Sequence, residues 1–182
     1  MKTICVFCAS SDQAAPAFKQ AARDMGAEIG RREWTMVYGG ASIGLMGEAA
    51  RAVHSSGGKV VGVIPQFLME KEIGFLDADE MIVTPDMRKR KTIMEERSDA
   101  FIALPGGIGT LEEIMEILTL IHLQVTSKPM VLVNIDGYYD ALIRLFQNTV
   151  DHNLTAPKFM KSFTEVRDVD SAIHLLTQRW GL

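Results

Sequence analysis

The sequence predicts a doubly wound, Rossmann-like α/β domain: a mostly parallel sheet of about seven strands with helices on both faces. Three observations carry this expectation. Short, nearly continuous apolar runs recur along the chain, as in strands buried on both faces. Each is followed by a longer amphipathic segment, the alternation of βαβ units with right-handed crossovers. Two of the apolar runs end in glycine clusters that lead into a helix-like segment.

In chain order the strands are expected at Ile4–Cys8, Thr35–Tyr38, Val60–Ile64, Met81–Thr84, Ala100–Leu104, Met130–Ile135 and Ser162–Val166. Helices are expected at Ala15–Arg31, Leu45–Ser56, Gln66–Lys71, Asp86–Arg97, Leu111–Val125, Tyr138–Val150 and Val169–Arg179. No linker, repeat or low-complexity stretch interrupts the pattern. The 182 residues are therefore expected to form one nucleotide-binding domain over 1–182, within the roughly 100–200 residues usual for a domain.

Composition narrows the function. The net charge is -4, which weakens a non-specific nucleic-acid binder. The two cysteines cannot form a disulfide framework. Cys5 and Cys8 spell C-x-x-C, but on a strand side chains three apart diverge, so both are expected as buried structural thiols. The apolar run Ile4–Ala9 is shorter than the about 7–15 residues of a signal peptide core, and no run approaches the ~18 of a membrane span. A cytoplasmic protein with no membrane partner is expected. His54, His122, His152 and His174 are scattered without metal-ligand spacing, and no nucleophile-elbow pattern occurs.

Open α/β sheets bind ligands beyond the carboxyl ends of their strands. The first glycine cluster there is Tyr38-Gly-Gly-Ala-Ser-Ile-Gly-Leu-Met-Gly47, with Ser42 a plausible helix cap. The second is Pro105-Gly106-Gly107-Ile108-Gly109-Thr110, running from a strand into a helix. Glycines allow close approach of a ligand, and the helix start offers unpaired N–H groups and a positive dipole end. A phosphate site is favoured. The loop lacks the Gly-Lys-Ser/Thr of a Walker motif, and the dinucleotide fingerprint fails at Glu112. Thr110 and Glu113 admit two readings: a capping box closing the helix, or a carboxylate aimed at whatever the phosphate carries.

The dense basic run is Arg88-Lys89-Arg90-Lys91. At ~100° per residue, Met87, Arg90, Lys91 and Met94 share the inward sector of a helix, while Lys89 points nearly opposite Met87. Unpaired charge is costly to bury, so Arg90 and Lys91 are expected to meet an anion. Arg88 and Lys89 are expected in solvent. The helix from Leu111 is apolar around most of its circumference, which favours a second, subunit-facing side and a twofold dimer.

These motifs resemble the LOG (Lonely Guy) family of cytokinin riboside 5′-monophosphate phosphoribohydrolases. Pro105–Glu113 matches its P-G-G-x-G-T-x-x-E signature. Asp86–Lys91 is similar to its M-H-x-R-K element, Tyr38–Gly47 to its Y-G-G-G-x-x-G-L-M-G loop, and Cys8–Ser11 to its first-strand end. The resemblance runs from about residue 3 to about residue 150. It implies hydrolysis of the N-glycosidic bond of adenine-type nucleoside 5′-monophosphates to free base and ribose 5-phosphate. It implies Arg90 and Glu113 as the catalytic pair, with Gly106, Gly107, Gly109, Thr110 and Lys91 at the phosphate. Gly39, Gly40, Ser42, Met94 and Ser10 are implied in the nucleotide pocket. It further implies a homodimer whose partner completes the site, and no metal or organic cofactor. Arg88, Ala41 and Ile108 depart from the usual His, Gly and aromatic residue, which bears on base preference. A non-catalytic nucleotide- or cofactor-binding protein, resembling molybdenum cofactor carriers, is the alternative. The decarboxylase label often given to the family finds no Schiff-base lysine in a recognisable context.

Overall fold

The computed structural model describes residues 1–69, 74, 75 and 77–182. Its strands are β1 (Thr3–Phe7), β2 (Thr35–Tyr38), β3 (Lys59–Pro65), β4 (Glu80–Thr84), β5 (Ala100–Ala103), β6 (Met130–Val133) and β7 (Thr164–Val166). The helices are α1 (Pro16–Arg31), α2 (Gly44–Ser55), α3 (Gln66–Met69), α4 (Met87–Glu96), α5 (Ile108–His122), α6 (Asp140–Asp151) and α7 (Val169–Trp180). Each expected strand and helix is present, β2 with the expected bounds and the others with at least one end shifted or beyond the described residues. Residues 70 and 71 of the helix expected over Gln66–Lys71 lie outside the described residues.

The seven strands form one sheet in the order β4-β3-β2-β1-β5-β6-β7, and every neighbouring pair is parallel. The expectation of a mostly parallel sheet thus becomes a wholly parallel one. The inner strands β1, β2, β3, β5 and β6 are buried on both faces, which is why their runs read as continuous rather than alternating, while the edge strands β4 and β7 are partly exposed. The pleat divides them between two cores. Ile4, Val6 and Cys8 face α1, α2 and α7; Cys5, Phe7 and Phe101 face α4, α5 and α6. The two cysteines therefore diverge as the strand period requires, and both thiols are free and buried.

The chain steps outward from β1 to β4 on one side, then returns to place β5 against the other edge of β1, with Ile4 opposite Ala100 and Phe7 opposite Ala103. The topology reverses between β1 and β5, so a crevice opens beyond their carboxyl ends. Two boundary shifts matter there. Helix α5 begins at Ile108, three residues before the expected Leu111. Strand β6 stops at Val133, and the chain turns through a 3-10 segment at Ile135–Gly137 before α6.

Candidate active site

The crevice is a cleft of about 300 Å³. Cys8, Ala9, Ser10 and Ser11 from the end of β1 form one wall. Gly107, Ile108, Gly109, Thr110 and Glu113 from the start of α5 form another. Met46, Leu68, Met87 and Arg90 contribute from α2, α3 and α4.

Arg90 reaches the cleft because Asp86 starts α4 in the right place. The Asp86 carboxylate accepts from the Lys89 N–H at 2.8 Å, an N-cap that fixes the helical phase. One turn on, Arg90 turns inward and is 6% exposed, while Arg88 and Lys89 lie in solvent as expected. Its Nε donates to the Val63 carbonyl at 3.0 Å, and its Nη1 lies 2.9 Å from Glu113 Oε1. Glu113 is 5% exposed. Burial pushes its carboxyl above the ordinary carboxylate range, and Arg90 opposes that shift. A buried ion pair carries a large desolvation cost and is weak evidence for stability alone. A perturbed carboxyl in a cleft, held by a fixed cation, is an arrangement that acid–base chemistry can use.

The capping-box reading of Thr110 and Glu113 is overturned. Because α5 starts at Ile108, its N-cap is Gly107, which has no side chain, and Thr110 sits inside the first turn. Glu113 is then too deep in the helix to reach back, and turns to Arg90 instead. Thr110 is buried against Gly106, where a β-carbon would collide with the Thr110 hydroxyl; glycine is required by that contact.

The two glycine loops differ. At α5 no side chain caps the first turn, so the N–H groups of the loop stand beside the cleft. At α2 the place is taken: the Gly44 N–H donates to Asp12 Oδ1 at 2.8 Å and the Met46 N–H to the Ala9 carbonyl at 3.2 Å. Ser42 is not the cap expected of it, since the N-cap is Ile43. The first loop is also covered by its own chain, through Phe75 N–H to Gly40 O and a bridge from Ala41 to Gly74. Gly39, Gly40 and Ser42 do not line the cleft. Gly39 serves it differently: a β-carbon there would strike Arg90 Nη2, so the missing side chain is the space the guanidinium occupies.

Ser10 lines the cleft as expected. Lys91 and Met94 do not. Lys91 is one residue, about 100°, around α4 from Arg90. Its ammonium is paired with Glu112 and Glu116 of α5, so its anion is protein. Met94 is buried in the core below. Both line a separate cavity between α4 and α5, with Phe7, Ile117 and Leu120, which meets the cleft only at Glu113. Among the described residues no group of three or more His, Cys, Asp or Glu could hold a metal ion. No helix there is long and apolar enough to cross a membrane.

A family model described as "Possible lysine decarboxylase" matches residues 46–176. A probable cytokinin riboside 5′-monophosphate phosphoribohydrolase of Oryza sativa subsp. japonica is 42% identical over 177 residues, covering 97% of this chain and 78% of that one. A cytokinin riboside 5′-monophosphate phosphoribohydrolase of Arabidopsis thaliana is 42% identical over 175 residues, covering 96% and 77%. The chain belongs to the LOG family. Solved structures similar to this LOG-family chain include the molybdenum cofactor carrier protein of Chlamydomonas reinhardtii. It is 25% identical with a TM-score of 0.76, over 100% of this chain and 99% of that one.

The LOG-family cleft also takes in residues that the sequence reading did not assign to it: Cys8, Ala9, Ser11, Met46, Leu68, Met87 and Ile108. The crevice rule could have found residues 8, 9 and 11, which follow β1. Nothing in the sequence announces Met46 or Leu68; their helices are brought over the cleft by the sheet order.

Proposed function

We propose that this protein hydrolyses the N-glycosidic bond of adenine-type nucleoside 5′-monophosphates, releasing free base and ribose 5-phosphate. The observation that carries the reading is the buried Arg90–Glu113 pair beside an uncapped glycine loop at the start of α5. The names of the relatives support the same activity.

The loop Gly106–Thr110 takes the 5′-phosphate on the N–H groups and positive dipole end of α5. That contact, remote from the reacting carbon, holds the ribose for attack. Breaking the bond from C1′ to the base develops positive charge on the sugar. Ionised Glu113 stabilises that charge and accepts a proton from water; the hydroxyl adds to C1′ as the C1′–N bond breaks, and the proton taken from water passes on to the departing base, which returns Glu113 to its ionised form. Arg90, tied to the Val63 carbonyl, orients Glu113. Ser10 and the apolar side chains of Met46, Leu68 and Met87 face the rest of the nucleotide.

A twofold homodimer that completes the site from the partner is part of the same proposal. Met115 on α5 and Leu123 and Val125 just past its end are exposed, and Leu154 lies beside Met115 and Leu123. Such a patch marks an interaction surface. Light scattering that returns the monomer mass would remove it. A carrier role is the second reading, favoured by the solved structure of similar shape. A decarboxylase finds no support among the described residues, where no lysine lines the cleft.

The test is product analysis with AMP, N6-isopentenyl AMP and adenosine. Free base from the monophosphates but not from adenosine supports both the reaction and the phosphate anchor. AMP binding without release of base favours the carrier.

A further inference from the structure

We propose that Tyr138 is a positioning residue for the phosphate loop: its hydroxyl fixes the Gly106–Gly107 peptide so that the Gly107 N–H faces the cleft. The proposal rests on the phosphate-loop reading above. A peptide unit is planar and trans, so its C=O and N–H point in opposite directions. Tyr138 Oη donates to the Gly106 carbonyl at 2.5 Å. Gly107 lines the cleft and Gly106 does not, so the carbonyl is held on the outer side and the N–H is turned inward. The Gly107 N–H forms no hydrogen bond among the described residues. Two adjacent glycines impose no orientation of their own, since each tolerates both signs of φ. An outside restraint is needed, and the tyrosine supplies it.

The restraint is itself held. Asn134, fully buried at the end of β6, donates to Asp140 Oδ1 and Glu165 Oε1 and accepts from the Tyr139 N–H, each at 2.7 Å. That network sets the turn through Asp136 and Gly137, both at positive φ, and presents two tyrosines to the neighbouring loop. The Tyr138 ring stands edge-on to Phe18, 5.4 Å between centroids. Tyr139 Oη donates to the Leu104 carbonyl at 2.6 Å. The two contacts are alike, but their consequences differ. The residue after Leu104 is Pro105, which has no N–H to aim. Tyr139 can brace the loop; Tyr138 alone of the two directs a donor.

The experiment compares Tyr138→Phe and Tyr139→Phe with the wild type. It reads kcat and KM for AMP, the Kd of inorganic phosphate by calorimetry, and thermal unfolding. In Tyr138→Phe, KM and the phosphate Kd should rise together roughly three- to tenfold, the range of one hydrogen bond's net worth, with kcat little changed. In Tyr139→Phe, Tm should fall while KM and the phosphate Kd stay near wild type. Wild-type phosphate affinity in Tyr138→Phe, or equal losses in both variants, would overturn the role of Tyr138. A wild-type protein that binds no phosphate would overturn the loop reading and this inference with it.

Discussion

Arg90 Nη1 lies 2.9 Å from Glu113 Oε1, with both side chains more than nine-tenths buried and one edge of the pair open to the cleft. The pair joins two helices, α4 and α5, that approach each other only because β5 returns to the edge of β1.

Glu113→Gln should keep the fold and lower the rate of base release by roughly 10²–10⁴. Glutamine fills the same space but cannot stabilise a cation or take a proton. Circular dichroism should match the wild type, and chromatography of the products should show the loss. Near-wild-type turnover would remove Glu113 from the chemistry.

The pH profile should carry the mark of that burial. Glu113 is needed ionised, and burial raises its carboxyl above the ordinary value of about 4.3, so activity should fall on acidification at a pH above that value. Stability should move the opposite way. Below about 4.3 both folded and unfolded forms are protonated; as pH rises past it, the unfolded chain ionises first and the folded state loses ground. Over that window the Tm of the wild type should decline relative to Glu113→Gln. A flat difference in Tm would show that the carboxyl is not shifted.

Gly39→Ala should act on catalysis through Arg90. The added methyl meets the guanidinium and also Met46 Sδ, 3.1 Å away, so the arginine must leave its place. Overpacking of this kind costs about 1–3 kcal/mol. The expected result is a large loss in kcat with a modest drop in Tm. Gly107→Ala is the contrast: its β-carbon meets nothing within 4 Å. It should fold normally and raise KM by crowding the cleft. Equal kinetics in the two variants would contradict this division of roles.

Lys91→Ala separates pairing from phosphate binding. With its ammonium held by Glu112 and Glu116 on a partly exposed surface, its removal should cost at most about 1 kcal/mol of stability. KM for AMP should change by no more than roughly threefold. A tenfold rise would return Lys91 to the substrate.

Strand and helix existence was legible because burial on both faces leaves continuous apolar runs, and amphipathic helices leave a 3.6-residue period. The inward turn of Arg90 was legible for the same reason, as was the outward turn of Arg88 and Lys89. Lys91 was not. Periodicity gives the angle at which a side chain leaves its helix, but not the sign of charge on the helix it meets. That helix is α5, and its Glu112 and Glu116 supply the anion.

The residues alone determined a set of nearly continuous apolar strands, a glycine loop entering a helix after β5, and one arginine committed to the interior. Only the tertiary structure decided which glycine loop stays open. The start of α2 is closed by Asp12 and Ala9, thirty-odd residues away in sequence but adjacent once β1 and β2 pair. It also decided the fate of Glu113. Thr-x-x-Glu spacing permits both a cap and a catalytic carboxylate. The helix began at Ile108, leaving Glu113 beside a guanidinium that local sequence could not bring to it.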